Sequence, residues 1–475
     1  MVLYKVPDEH YFRLHHIRPR FKGNVEKVLI FFATEAAEIP ELEKGEFIKK
    51  LNNAIKLFPG NATKKSKTIN NWRTEISSLF GFLVYNTKES KIAPSSIAIK
   101  LAKNQDLVEF FKIFLYTFQY PGGHLKSHEV KKCIEAHIRF RPAKYILEVL
   151  NAGGRGRRRG GYITKAEATH CIFNDLRVTA GGRTASTTLK LLMENRENGV
   201  AYDWRGDVIR YAGDILDYLT YANLLTKRGE KYYLNMGEAE TIDAFLKSKF
   251  WYDGYKQFYG KRFDISDLKN AQFRWFSYID AAAQNLSFET DLSSFIGAEG
   301  KYPKVKLVTS SELREFIRKQ KTPKEIKTKE IGDKGEGLIY GHECMRLKLG
   351  RRQDLISKVR AIPDFLGLGF DIRSFEIDMG ENVRLVEVKT TISNSAIDFK
   401  QFTMTENEWN AAQNYKEKYY VYRLVVTRTQ QTLFIIKNPV DKYKKDKLMM
   451  KVSNGVQLKF KDSAGSYERL LKWEE

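Results

Sequence analysis

Apolar positions in the first 150 residues recur mostly at the three- and four-residue spacing of amphipathic helices. Between residues 41 and 57, Phe47, Leu51 and Ile55 would share one helix face, and a Pro-Gly pair ends the segment. The same spacing predicts further helices over residues 64–80, 107–120, 127–139 and 143–150. This region is therefore predicted to be mainly helical.

Two short apolar runs interrupt the helical pattern. Residues 82–85 and 97–101 are separated by a polar turn, so we expect them to pair as a hairpin after the helix at 64–80. Helix, helix and two strands is the order of a winged-helix domain. Residues 1–150 are accordingly predicted to form a winged-helix-like DNA-recognition domain.

The next ninety residues show a similar order. Thr164-Lys-Ala-Glu167 is a capping box that should start a helix. Further helices are predicted over residues 186–195 and 211–227, followed by a short hairpin at 228–235. Because helix and hairpin together resemble the end of a winged-helix domain, we assign residues 151–240 to a second such DNA-recognition domain.

The remaining chain divides at a charged segment. Residues 239–287 are helical and aromatic, and residues 307–329 are charged and contain Pro323. We therefore assign residues 241–329 to a helical bridge and linker, and residues 330–475 to a separate domain. The predicted fold class is multidomain, with a mainly α winged-helix N-terminal region and a C-terminal α/β domain.

One predicted strand of the C-terminal domain carries two charges. In Arg384-Leu-Val-Glu-Val-Lys-Thr-Thr391, Glu387 and Lys389 are two apart and so point to one face of the strand. Burying them is costly unless they have a partner such as a metal ion. Other Glu-x-Lys triplets, such as Glu89-Ser-Lys91, lie in polar surroundings and read as solvated faces.

A second acidic residue should lie beside this strand. Asp371 is on a predicted strand after a glycine-rich turn, and the polar stretch 376–382 is a plausible hairpin turn between the two strands. Pairing would bring Asp371 next to Glu387 and Lys389. Two carboxylates and a lysine can support Mg²⁺-dependent phosphodiester hydrolysis.

These motifs resemble a nuclease superfamily. The order Gly335-Glu336, Gly369-Phe-Asp-Ile-Arg-Ser374, Val386-Glu-Val-Lys-Thr-Thr391 and Phe402-Thr-Met-Thr-Glu406 is similar to the PD-(D/E)xK fold of restriction endonucleases, and within it to the Mrr-like module. The resemblance covers residues 331–439.

The resemblance implies roles for individual residues. Asp371 and Glu387 would be metal ligands, Lys389 the catalytic lysine, and Glu336 the helix carboxylate that often completes such sites. The literal Pro363-Asp364 pair leaves open whether Asp364 has a catalytic part.

Two polar features favour contact with DNA. The helix predicted at 64–80 carries residue types that read base edges or, equally well, form a solvated face: Asn70, Asn71, Arg73 and Thr74. The glycine-rich segment 153–161 carries arginines suited to phosphate contacts, or else is a flexible linker: Arg155, Arg157, Arg158 and Arg159.

Composition agrees with a polyanion as partner. The formal net charge is +23, and the 42% hydrophobic content is ample for packed cores. Three widely spaced cysteines form no disulfide framework, and the eight histidines show no zinc-binding spacing. Without a transmembrane stretch or signal peptide, we expect no membrane association and a cytoplasmic protein of a bacterium or archaeon.

The function predicted from the sequence is a sequence-specific type II restriction endonuclease acting on double-stranded DNA with Mg²⁺. It would dimerise, at least on DNA, to cut both strands, and a cognate methyltransferase would protect the host. Two alternatives stay open: a modification-dependent endonuclease that reads a methylated base, and a DNA-binding protein with a vestigial nuclease module.

Overall fold

The computed structural model describes residues 2–19, 25–86, 88–153, 161–205, 208–288, 334–363, 366–398, 400–453 and 455–473. The chain forms two compact units, Met1–Thr290 and Asp291–Glu475. The finer division at residues 150 and 240 stays a prediction, and the boundary at 329 lies outside the described residues. None of the helices in these ranges is long and apolar enough to cross a membrane.

The first unit is mainly helical. The α-helices among its described residues are α1 (Val25–Ala37), α2 (Lys44–Lys56), α3 (Ser66–Phe80), α4 (Ser96–Asn104), α5 (Leu107–Thr117), α6 (Ser127–Glu135), α7 (Pro142–Ala152), α8 (Lys165–Ala168), α9 (Leu176–Thr179), α10 (Ala185–Glu197), α11 (Arg210–Tyr221), α12 (Ala239–Lys247) and α13 (Ile265–Asn285). The capping box predicted at Thr164 is present, and a π-helical turn, Thr169–Phe173, continues that helix.

Two small antiparallel sheets of the first unit share one strand order. The first contains β1 (Leu42–Glu43), β2 (Leu83–Asn86) and β3 (Lys91–Pro94), in the order β1-β3-β2; the second contains β4 (Tyr162–Thr164), β5 (Leu225–Arg228) and β6 (Lys231–Leu234), in the order β4-β6-β5. In both sheets a helix precedes the hairpin, and an earlier short strand pairs with the hairpin's second strand. The topology is thus repeated along the chain.

One predicted strand is wrong, and one predicted helix ends earlier than expected. Residues 97–101 lie in helix α4, because the side chain of Ser95 accepts a hydrogen bond from the Ala98 N–H and starts a helix there. The strand that pairs with Leu83–Asn86 is Lys91–Pro94 instead. The helix predicted to reach Lys227 ends at Tyr221, and Asn223 takes a positive φ before strand β5 begins.

The described residues of the second unit form a six-stranded and a three-stranded sheet. Their α-helices are α14 (Lys334–Leu349), α15 (Gln353–Ile356), α16 (Glu406–Tyr415) and α17 (Pro439–Lys444). Its strands are β7 (Arg360–Ala361), β8 (Ile372–Phe375), β9 (Val383–Ile392), β10 (Gln401–Met404), β11 (Tyr419–Val426), β12 (Gln431–Lys437), β13 (Leu448–Ser453), β14 (Gly455–Phe460) and β15 (Ser466–Glu468). The large sheet has the order β15-β12-β11-β9-β8-β7, and the small sheet β10-β14-β13.

Strand β9 lies in the interior of the large sheet. It runs parallel to β11 and antiparallel to β8, while the other neighbouring strands of the sheet are antiparallel. One face of the sheet packs against α16 and the small sheet in a core that includes Leu385, Val421, Trp409 and Leu458. On the other face Tyr422 donates a hydrogen bond to Glu343 of α14.

A buried ionic cluster attaches α14 to that second face. Fully buried Glu343 accepts hydrogen bonds from Arg346 at 2.7 and 2.9 Å, and Arg384 lies 3.7 Å from its carboxylate. Although burial would raise it, these guanidinium groups hold the pKa of Glu343 at about 2. Neighbouring His342 is also buried and accepts a hydrogen bond from the Leu471 N–H.

His342 should make the second unit acid-sensitive. Burial lowers the pKa of His342 from its ordinary 6.5 to about 4, so the unfolded chain binds this proton first as the pH falls. Stability should therefore drop by roughly 2–3 kcal/mol between pH 6.5 and 4.5, at about 1.4 kcal/mol per pH unit. Denaturant unfolding of the full chain would measure this drop, and His342→Asn should reduce the slope. Equal slopes in both proteins would contradict the assignment.

Candidate active site

The β8–β9 hairpin brings Asp371 next to Glu387 and Lys389. Strand β8 begins at Ile372, opposite Val386, and the Asp371 N–H donates to the Val386 carbonyl at 2.9 Å. Beyond that point the Asp371 carboxylate replaces a ladder carbonyl, because it accepts the Val388 N–H at 2.7 Å. The acidic group is thus fixed by the backbone of the neighbouring strand.

Glu387 and Lys389 form an ion pair along β9. Lys389 Nζ lies 2.7 Å from Glu387 Oε1, and the two side chains expose 21% and 4% of their surface. The Lys389 carbonyl accepts a hydrogen bond at 3.0 Å from buried Arg423, its neighbour on parallel strand β11. This bond fixes the backbone from which the lysine projects.

A third carboxylate, Glu408, completes the group and was missed in the sequence. Its Oε2 lies 2.7 Å from Lys389 Nζ. No local spacing in the sequence indicates that Glu408 faces Lys389. In the structure Glu408 completes a capping box with Thr405, which explains why its side chain turns back toward the helix start.

The carboxylates of Asp371, Glu387 and Glu408 all interact with the ammonium group of Lys389. Burial raises the pKa of Asp371 well above its ordinary value, and the Glu336 carboxylate adds to the rise. Burial and the Asp371 carboxylate likewise raise the pKa of Glu387. Burial alone would lower the pKa of Lys389, but Glu387 and the other carboxylates raise it instead. The arrangement therefore favours a cation near Asp371 and Glu387.

Helix α14 contributes only one of its two acidic residues here. Glu336, in the first turn, is close enough to raise the pKa of Asp371. Glu343, seven residues further along the helix, belongs to the separate ionic cluster described above. The close packing of α14 on β9 is visible at Gly335, where an added Cβ would meet Thr390 Oγ1 at 2.0 Å.

The loop before Asp371 is attached to helix α16. Asn407 donates a hydrogen bond to the Gly367 carbonyl, and Tyr419 donates one to the Gly369 carbonyl, both at 2.7 Å. Gly369 has a φ of +74°, and an added Cβ would meet the Asn407 carbonyl oxygen at 2.7 Å. This close approach joins the element carrying Asp371 to the one carrying Glu408.

The polar residues predicted to contact DNA on α3 are partly used within the protein. Arg73 donates to Asn52 of α2 at 2.7 Å and to Asn70 at 3.0 Å, and Asn52 also donates to Asn70. The Thr74 hydroxyl donates to carbonyls of its own helix, whereas Asn71 is exposed. Asn52 was not recognised in the sequence, because only the packing of α2 on α3 brings it to Arg73.

Several predicted residues lie outside the described part of the chain. They are Arg155, Arg157, Arg158, Arg159 and Asp364.

Two family models match the chain. One, described as the N-terminal part of restriction endonuclease BpuJI, matches residues 4–276, which is more than half of the 475 residues. The chain belongs to the BpuJI N-terminal restriction endonuclease family. The other, described as the C-terminal part of the protein NO VEIN, matches residues 345–436 and includes Asp371, Glu387, Lys389 and Glu408.

Solved structures extend the comparison. The BpuJ1 endonuclease binding domain, crystallised with pyrene- and phenanthrene-modified DNA, is 27% identical with a TM-score of 0.51, over 57% of this chain and 98% of that one. Restriction endonuclease FokI bound to DNA gives a TM-score of 0.24 at 11% identity, over 80% of this chain and 75% of that one. No curated protein matches the chain.

The family assignment covers the first unit, whereas the candidate site lies in the second and can be tested by itself. We expect Gly369→Ala to destabilise the second unit by about 1–3 kcal/mol more than Gly367→Ala, because only the former overpacks against α16. Both glycines have positive φ, so the conformational cost is shared. Denaturant unfolding of the two variants measures the difference. Equal losses would mean that the loop does not approach the helix closely.

Proposed function

We propose that this protein is a restriction-type endonuclease that hydrolyses phosphodiester bonds of double-stranded DNA with Mg²⁺. The observation that carries the proposal is the convergence of Asp371, Glu387 and Lys389 at one end of the β8–β9 hairpin. The membership of residues 4–276 in a restriction endonuclease family supports it. The second unit would then be a PD-(D/E)xK nuclease domain of the Mrr-like kind.

The donor set fits a magnesium ion. Asp371 and Glu387 offer hard carboxylate oxygens, and burial together with neighbouring carboxylates raises both pKa values, so a cation would be stabilised beside them. Within the described ranges no group of three or more His, Cys, Asp or Glu side chains is arranged to hold a metal. Two carboxylates suit Mg²⁺, which keeps several of its waters.

Each residue then has a distinct task. Bound Mg²⁺ would lower the pKa of a water and neutralise charge on the phosphate. Asp371, fixed by the Val388 N–H, and Glu387 would hold the ion. The Lys389 ammonium would orient the attacking water or offset the negative charge that develops on the phosphate. Glu336 would complete the acidic side of the site.

The first unit would recognise the DNA. In both of its three-stranded sheets a hairpin follows helices, which supports two winged-helix-like domains, and we propose that both serve in recognition. The solved binding domain that it resembles was crystallised with DNA. On α3, Arg73 is held by Asn52 and Asn70 rather than by a carboxylate, which keeps its charge available to a base or phosphate.

Further parts of the proposal follow from the reaction. The four arginines of residues 153–161 would add phosphate contacts, and the +23 charge would favour the encounter with DNA. One chain supplies one Asp371–Glu387–Lys389 set, so cutting both strands calls for a dimer on DNA. A cognate methyltransferase would protect host DNA.

Lys389→Ala should lower the cleavage rate by at least about 100-fold while leaving DNA affinity within about twofold, because recognition lies in the other unit. Methylated and unmethylated plasmids incubated with Mg²⁺, gel shifts and sequencing of the cut ends measure both properties. Lys444→Ala, which removes an exposed lysine of the same unit, is the matched control.

Four results would count against the proposal. Unchanged cleavage would exclude Lys389 from the reaction, and loss of binding in step with cleavage would contradict separate recognition. Binding without cleavage in the unmodified chain would favour a vestigial nuclease, whereas cleavage of methylated plasmid alone would favour the modification-dependent alternative.

A further inference from the structure

The Lys389 ammonium is held from two directions. Its Nζ lies 2.7 Å from Glu387 Oε1 on its own strand and 2.7 Å from Glu408 Oε2 on helix α16. A lysine side chain is a point charge on a flexible four-carbon stem, so one contact alone leaves it considerable freedom. Two carboxylates from separate elements define the position of the nitrogen much more narrowly.

Glu408 is itself fixed independently of β9. Its Oε2 accepts the Thr405 N–H at 3.1 Å, and its own N–H donates to Thr405 Oγ1 at 3.2 Å. The helix that carries it is anchored by buried Trp409 and by the bond from Asn407 to Gly367. The oxygen that contacts Lys389 is therefore located by the start of a packed helix.

Under the proposed function, the carboxylates of Glu387 and Glu408 have different roles. A Glu387 oxygen that binds a metal ion shares its electron pairs with that ion, so its attraction for Lys389 falls. Glu408 lies on a different element and its carboxylate is already engaged by Thr405 and Lys389. Because the contact from Glu408 does not depend on Glu387, it can hold the ammonium in place when the metal is bound.

We propose that Glu408 is a positioning residue that holds the Lys389 ammonium in its working place during phosphodiester hydrolysis. The role in catalysis rests on the proposed function, whereas the contact itself does not. Glu408→Gln is the informative substitution, because glutamine keeps the shape and can complete the capping box. Glu406→Gln, which changes an exposed carboxylate in the same helix turn, is the matched control.

The contact can be tested without metal or DNA by thermal unfolding of four full-length chains. We expect Glu408→Gln alone to lower the Tm of the affected transition by about 2–4 °C. In a Lys389→Met background the same change should leave the Tm unchanged or raise it, because it removes one of several unneutralised carboxylates. Equal losses in both backgrounds would overturn the proposal.

The role in the reaction is tested by steady-state cleavage of plasmid DNA. Glu408→Gln should lower kcat by about 10- to 100-fold, as expected for misplacement of a reacting group, with KM for DNA and the Mg²⁺ requirement unchanged. Glu406→Gln should match the unmodified chain. In the Lys389→Ala background, Glu408→Gln should cause no further loss.

Other results distinguish failure of the positioning role of Glu408 from failure of the proposed function. A higher Mg²⁺ requirement in Glu408→Gln would make Glu408 a metal ligand and overturn the positioning role. A kcat equal to that of Glu406→Gln would overturn it as well. If the unmodified chain cuts no DNA, the proposed function fails, and the unfolding comparison still decides whether Glu408 holds Lys389.

Discussion

Burial of charge on an interior strand is the constraint on which the second unit depends. Glu387 and Lys389 lie on β9 between β8 and parallel β11, where desolvating a lone charge costs several kcal/mol. Ion pairing offsets part of this cost, because Lys389 Nζ lies 2.7 Å from Glu387 Oε1 on its own strand and 2.7 Å from Glu408 Oε2 on helix α16. The interactions that allow this strand to fold are therefore those that shape the site.

Much of the fold could be predicted from local sequence patterns. The capping box at Thr164 is formed as predicted, and the hairpin places Asp371 beside the strand that carries Glu387 and Lys389, as predicted. These features depend on residues close in sequence, so turn chemistry and apolar spacing suffice to find them. The segment at 97–101 shows the limit, because one hydrogen bond from Ala98 to the Ser95 side chain overrides an apolar run that alone fits a strand.

Contacts between elements that are distant in sequence could not be predicted from local patterns. The parallel pairing of β9 with β11 joins Lys389 to Arg423 across an intervening strand and helix, and no local spacing encodes that register. Glu408 meets Lys389 only when α16 packs beside the hairpin. Asn52 likewise meets Arg73 only through the packing of two helices.

Under the proposed function, Asp371 acts with Glu387 in the reaction. The acidic residue of the literal Pro363-Asp364 pair does not. Asp371 accepts the Val388 N–H, so its carboxylate lies against the strand that carries Glu387 and Lys389. Plasmid cleavage with Mg²⁺ by Asp371→Asn and Asp364→Asn, each checked for folding and DNA binding, tests this most directly. We predict a folded, DNA-binding and inactive Asp371→Asn protein beside an active Asp364→Asn protein. An inactive Asp364→Asn protein together with cleavage by Asp371→Asn would contradict the account.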